Sequence, residues 1–410
     1  MTLLSLGYLS KAHCLASSRG DDGILRLDWS GNRQYMSACY SDIAGFHSAL
    51  HFEELANPFA ARTVEEPVLT SLFQWLINAL SHLTYPAIEA LSLPIAPAAW
   101  YFTISAAVLG CTWIITLRLL MDVVGNRVWD LILVAGSPLL IVYAFHAWDL
   151  LAVFALVAAL RSVRYQRPVA AGIWIGVGAA FQVWPGLLVV ALFLLGARTR
   201  QWAFPARVAV ASAATWILLN APVLLLYPQA WLDPYRSYLA QGASWDTLYY
   251  LVGQVLGVPF SPTALNVMVP GLWIVGLLLI AQWGLAARRT PRLAEVLFLL
   301  VAFTLLLSKQ WLPQHALWLL VPAVLALPRW RLLLSWMFLE LLVFPATMLY
   351  SGAEEGNGLP LWFFATLIVL RGGVLTALVV MVSQQLRGQR EDKVDHATGG
   401  VDPALPWGKR

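Results

Sequence analysis

The sequence predicts an all-α polytopic membrane protein, a bundle of roughly eleven to twelve transmembrane helices with extracytoplasmic loops and one interfacial helix. Three observations predict it. The 410 residues are 60% hydrophobic and only 12% charged, with a mean hydropathy of +0.70, whereas a soluble domain carries about 25% charged residues. Apolar runs recur from about residue 96 to 383. Runs such as Leu131 to Phe145 and Ala294 to Leu307 lack the short alternating segments of a β-barrel. Arginines gather in short segments between the runs, and 20 tryptophans suit helix ends at the membrane interface, where an amphipathic ring is favoured. The net charge of +4 therefore reads as an orientation signal and not as a nucleic-acid surface.

Residues 1–10 are apolar but amount to about half of the roughly 20 residues that a span needs. They are read as the end of a first span. The run stops at Lys11 without a small-residue cleavage site, so no cleavable signal peptide is indicated. Residues 11–97 form an expected extracytoplasmic segment. Its first part, to residue 66, is polar, with turn signals at Gly20 to Gly23 and Asp28 to Asn32. Two of the three cysteines, Cys14 and Cys39, lie here, and Cys111 lies in an apolar run. On an oxidising exterior, Cys14 and Cys39 are expected to close this loop as a disulfide; otherwise they are two separate thiols. Tyr40-Ser41-Asp42 is followed by Glu53, Glu54, Glu65 and Glu66, carboxylates for which a membrane helix has no use. Asp42 is the candidate catalytic acid, with Tyr40 and Glu66 beside it. Residues 67–83 are apolar on one side and interrupted by Gln74, Asn78 and Ser81, as an interfacial helix would be.

Arg118/Arg127, Arg161/Arg164/Arg167, Arg198/Arg200/Arg207, Arg288/Arg289/Arg292, Arg329/Arg331 and the tail from Arg387 are all placed on the cytoplasmic side by the positive-inside rule. Spans then alternate at roughly 98–121, 128–145, 148–160, 168–184, 185–197, 203–227, 266–288, 294–308, 311–327, 331–350 and 361–383. The bundle is 98–383, with an outer loop at 228–265. Residues 384–410, charged and containing Gly and Pro, are expected to be a disordered cytoplasmic tail.

This topology gathers His146, Asp149, Gln182, Trp184, Arg236, Trp245, Asp246, Lys309, Gln310, Gln314, His315, Glu354 and Glu355 at the outer side. Ionisable groups at membrane depth are costly, which makes them candidates for function. Structural readings stand beside that one. The turn His146-Ala147-Trp148-Asp149 sets an acid at a helix N-terminus, and Lys309 can snorkel. The aromatic residues of 228–265 suit either sugar stacking or an interfacial belt. Asp130 and Glu340 suit structural hydrogen bonds. Arg371, in mid-span, has a carboxylate, a carbonyl or a lipid phosphate as alternative partners. No Walker motif, dinucleotide glycine pattern or His/Cys metal cluster occurs. No metal ligands or cofactor are therefore assigned, although the carboxylates would accept a divalent cation.

Several motifs together resemble the actinobacterial membrane proteins of glycosyltransferase family 87. They are Cys39 to Ile43, Glu66 to Thr70, Trp148 to Val153, Gly176 to Pro185, Asn220 to Val223, Gly242 to Trp245 and Ser308 to Gln314. The likeness runs from about residue 11 to 350. It implies a GT-C fold and α-mannosyl transfer from a polyprenyl-phosphate sugar to an envelope glycolipid or glycan. It also implies a catalytic aspartate in the first outer loop, at Asp42, and a donor-phosphate motif at 309–315. The family usually has Lys where Gln182 stands, and often Tyr where Glu66 precedes Pro67. The site would lie on the outer face of the cell membrane, with Asp42 as base in an inverting displacement and Lys309, Arg236 or His315 meeting the leaving phosphate. The competing classes are a transporter or flippase of a lipid-linked substrate, which predicts an internal repeat, and an inactive scaffold.

Overall fold

The computed structural model describes residues 1–20, 22–49, 55–60, 64–352, 358–399 and 402. Glu53, Glu54, Glu354, Glu355 and the end of the chain lie outside them. Apart from one small hairpin, the regular structure among the described residues is helical, as the composition predicts.

Helix α1 (Thr2–Ala12) lies against residues 139–143. A Cβ on Gly7 would sit 2.8 Å from the Leu140 carbonyl oxygen, so the close approach requires glycine. Ser10 Oγ donates to the Ile141 carbonyl at 2.8 Å. The segment expected to be loop-like is folded: β1 (Ser17–Arg19) and β2 (Leu25–Leu27) pair antiparallel, and α2 (Arg33–Met36) and α3 (Asp42–Ala49) follow. Cys14 and Cys39 are bonded, 25 residues apart, and Trp29 Nε1 donates to the Cys14 carbonyl at 3.0 Å. These long-range ties replace the propensity that the segment lacks. Cys14→Ser/Cys39→Ser should lower stability by about 3 kcal/mol, the loop-closure entropy for this length. A thermal melt with and without reductant checks it. A wild-type melt unmoved by reductant would refute it.

The helix expected over 67–83 runs on as α4 (Val68–Ala90). Five helices are long and apolar enough to cross a membrane: α5 (Pro97–Val124), α11 (Ala203–Leu226), α14 (Pro262–Ala286), α17 (Trp330–Ser351) and α18 (Leu361–Leu386). α11 and α14 expose apolar side chains such as Val210, Leu218 and Val267. In water such faces would aggregate; lipid solvates them.

The other apolar stretches are shorter, at 10–17 residues. Gly136-Ser137-Pro138 divides one of them into α6 (Val128–Ala135) and α7 (Leu139–Tyr143), because Pro138 brings no N–H. α8 (Asp149–Arg164), α9 (Pro168–Phe181) and α10 (Leu187–Thr199) follow. α8, α15 (Leu293–Leu307) and α16 (Ala316–Ala326) are buried nearly all round, which makes them the axis of the core.

Two expectations are corrected. The segment 228–265, expected to be an outer loop, is largely helical. It holds α12 (Pro228–Ala240) and α13 (Leu248–Leu256), started by a proline at the first turn and by Thr247 Oγ1 accepting the Tyr250 N–H. The tail is not disordered from 384: α18 continues to Leu386, and α19 (Lys393–Thr398) follows. Asp392 accepts from buried Arg292 at 2.8 and 3.0 Å and pairs with Arg289 at 3.0 Å. Asp402 Oδ2 accepts the Leu293 N–H at 2.7 Å. The acids satisfy arginines and a backbone donor at the start of α15. Composition missed this because the partners are about 100 residues apart in sequence.

Candidate active site

Non-helical backbone at membrane depth survives only where protein covers it or where it lines a cavity. Three breaks between α-helices meet here: 144–148 before α8, 182–186 between α9 and α10, and 308–315 between α15 and α16. Asp149 joins them. Its Oδ1 accepts from Trp318 Nε1 at 2.6 Å and from Gln182 Nε2 at 3.1 Å. Trp184 Nε1 donates to Gln182 Oε1 at 3.1 Å. The Trp184 and Trp318 rings stack at 5.3 Å, and His315 lies 4.0 Å from Trp318. Gln182 is thus a neutral bridge, accepting from an indole and donating to a carboxylate, which a lysine could not do from both ends. Asp149 Oδ2 and His315 Nδ1 are buried without a hydrogen-bond partner among the described residues.

The first of these breaks also carries Asp42. The Asp42 N–H donates to the His146 carbonyl at 2.9 Å, and Ser41 Oγ donates to the Phe145 carbonyl at 2.8 Å. His146 Nε2 is 3.6 Å from Asp42 Oδ2. Lys11 Nζ donates to the Tyr40 carbonyl at 2.9 Å and stands over the Phe344 ring at 3.9 Å. Thr70 Oγ1 donates to the Phe181 carbonyl at 2.8 Å, which ties the start of α4, and with it Glu66, to the second break.

Burial pushes the Asp42 carboxyl up to about 7; the Asp149 and Glu65 charges push the same way, against the Tyr40 hydroxyl and Lys11. Glu66 is pushed up to about 8, by burial first and then by Asp42, Asp149 and Glu65. A base poised near neutral pH is what proton abstraction requires. Since only ionised Asp42 can accept a proton, kcat/KM should rise tenfold per pH unit below about 7 and level off above it. A profile flat from pH 5 to 8 would contradict this.

The remaining expected residues fall elsewhere. Arg236 is exposed and pairs locally, 3.9 Å from Asp233. Trp245 packs on Tyr350 at 5.9 Å. Asp246 is buried and accepts from Thr347 at 2.8 Å. Lys309 Nζ donates to the Gln241 carbonyl and to Asn266 Oδ1 at 2.9 and 2.7 Å. Gln314 is buried. Arg371 has both a carboxylate and carbonyls as partners: Glu340 Oε2 at 2.9 Å and the Trp311 and Leu312 carbonyls at 2.8 and 3.2 Å. Among the described residues no group of three or more His, Cys, Asp or Glu is placed to hold a metal ion. Two members of the site were missed. Lys11 gave one signal, a single cation closing an apolar run. Trp318 gave none, lying among leucines.

The family model for glycosyltransferase family 87 matches residues 81–308, more than half of the chain. The matched stretch takes in His146, Asp149, Gln182 and Trp184; Asp42 precedes it and Lys309 follows it. No curated protein matches.

Proposed function

The chain belongs to glycosyltransferase family 87, and on that premise we propose that it moves a hexose, mannose first among them, from a polyprenyl-phosphate sugar to a cell-envelope glycolipid or glycan. In this reading it is a GT-C enzyme of the cell membrane, with its site on the outer face and its C-terminus in the cytoplasm. The observation that carries the reading is the half-buried carboxylate of Asp42, poised near neutral pH and stitched to a helix break at membrane depth. There a lipid-borne donor and a water-borne acceptor can meet.

The acceptor hydroxyl passes its proton to Asp42 as its oxygen bonds to the anomeric carbon. The bond from that carbon to the phosphate oxygen breaks, and the electron pair leaves with the lipid phosphate. One displacement inverts the anomeric centre. Charge grows on the leaving phosphate, where fixed donors in a dry site act strongly. His315, whose Nδ1 has no partner among the described residues, stands on the break that would face it, while Lys309 on the same break is held by Gln241 and Asn266. Tyr40 and Lys11 hold Asp42 in place, while Glu66, Asp149, Gln182 and Trp184 shape the sugar site.

Transfer of radiolabelled mannose from polyprenyl-phosphate-mannose to an envelope-lipid extract tests the reading. Membranes bearing the full chain should transfer label, and control membranes should not. No transfer by a folded protein would remove mannose as the donor sugar.

A further inference from the structure

A cavity lies outside the cluster around Asp42 and Asp149. The β-hairpin, the C-terminal half of α4 and the first turn of α5 enclose about 550 Å³, lined by Leu25, Arg26, His47, His82, Tyr85 and Pro97 among others. A further space of about 510 Å³ continues it towards Arg19 and Glu89 and shares Ile24, Leu25, Tyr85 and Pro97 with it. The two are one cleft. Each part has the size of a small-ligand pocket, roughly 300–1,000 Å³. Its walls are fixed. The Tyr85 hydroxyl donates to the Ile95 carbonyl at 2.8 Å, which pins the ring. The Ala96 N–H donates to Ser17 Oγ at 2.8 Å, which pins the hairpin to the α4–α5 corner.

We propose that this cleft is the subsite for the non-reacting sugars of a glycan acceptor, an inference that rests on the transferase reading above. The lining mixes a flat aromatic ring and apolar walls with a carboxylate, guanidinium groups and imidazoles. Sugar rings present apolar faces and a rim of hydroxyls, so they use both. A lipid chain would need an unbroken apolar lining. A phosphate headgroup would meet the Glu89 carboxylate, and Arg26 is already paired with Asp22 at 2.7 Å. The placement also fits. Helix α3 begins at Asp42 and carries His47 on the cleft wall five residues later, about 7.5 Å along its axis. A glycan with its terminal hydroxyl at Asp42 can lay its following sugars along the hairpin. Binding energy far from the reacting atoms is then available to orient that hydroxyl.

The test uses the full chain in lipid nanodiscs with octyl α-mannoside and octyl α-mannotetraoside as probes, binding being read by saturation-transfer NMR. Wild type should hold the tetraoside at least tenfold more tightly than the monosaccharide. Glu89→Ala, an exposed position, and Leu25→Trp, which fills the shared part of the cleft, should each erase that difference with melting temperatures unchanged. Equal affinity for the two probes in wild type, or a length preference that survives both substitutions, would overturn the proposal. Because binding is read without turnover, a failure of the transfer reaction leaves this result interpretable. Where transfer is seen, Leu25→Trp should raise KM for the glycan acceptor about tenfold and leave KM for the donor unaltered.

Discussion

Asp42→Asn should cut transfer by ~10²–10⁴-fold, the usual worth of a positioned base, and should at the same time stabilise the protein above pH 7. The two effects share one cause. The carboxyl is raised from its ordinary value to about 7 because the fold buries it among other acids. Below about pH 4 the group is protonated in both the folded and the unfolded chain, and the substitution is neutral. As pH rises from there to about 7, the unfolded chain loses this proton while the folded chain keeps it, so wild-type stability falls. Above 7 the loss is complete, on the order of 2–4 kcal/mol. Asparagine has no proton to lose. The melting temperature of Asp42→Asn should therefore match wild type near pH 4 and exceed it by a growing margin up to about pH 7. An inactive variant that is also less stable at pH 8 would mark Asp42 as a structural cap on α3 and not as a strained base. Full activity in the variant would move the base elsewhere, with Glu66 the nearest candidate.

Local sequence revealed the residues at the breaks better than it revealed the distances between them. His146, Asp149, Gln182 and Trp184 were visible because polar groups interrupt apolar runs, and the structure joins Asp149, Gln182 and Trp184 by hydrogen bonds. Lys309 was visible on the same ground, yet its ammonium is taken up by Gln241 and Asn266. Spacing along the chain cannot tell which way a side chain on an irregular segment turns. The described parts of 11–66, with 228–265 and 384–399, are more ordered than local sequence predicts. Their order comes from pairings far apart in sequence: Cys14 with Cys39, Asn266 with the Leu239 carbonyl, Asp392 with Arg292. The cysteine pair is legible in the sequence; the other two leave no trace in composition. The five long spans needed only length and hydropathy, and they were legible for that reason.

Arg371→Met should destabilise the protein by about 3–5 kcal/mol, the usual loss when one partner of a buried ion pair is removed. Glu340 would be left charged and fully buried in the bundle, the Trp311 carbonyl would lose its guanidinium donor, and the Leu312 carbonyl would keep only the His315 N–H. Arg371→Met/Glu340→Met should recover most of that loss, because a buried pair exchanged for apolar side chains is close to neutral. The double variant separates two roles that the arginine combines. Pairing with Glu340 secures α17 to α18. Donation to the carbonyls at 311 and 312, with the guanidinium 4.1 Å from the Trp311 ring, secures the break that presents His315 to Trp318 and, through it, to Asp149. Methionine restores the first role and cannot supply the second. The double variant should therefore fold and melt near wild type yet transfer sugar at a small fraction of the wild-type rate, with kcat reduced more than acceptor affinity. Recovery of both stability and transfer would show that the break at 308–315 holds its shape without Arg371. Failure to recover stability would show that its chief debt is to the two carbonyls, of which Trp311 loses its donor in the variant while Leu312 keeps the His315 N–H.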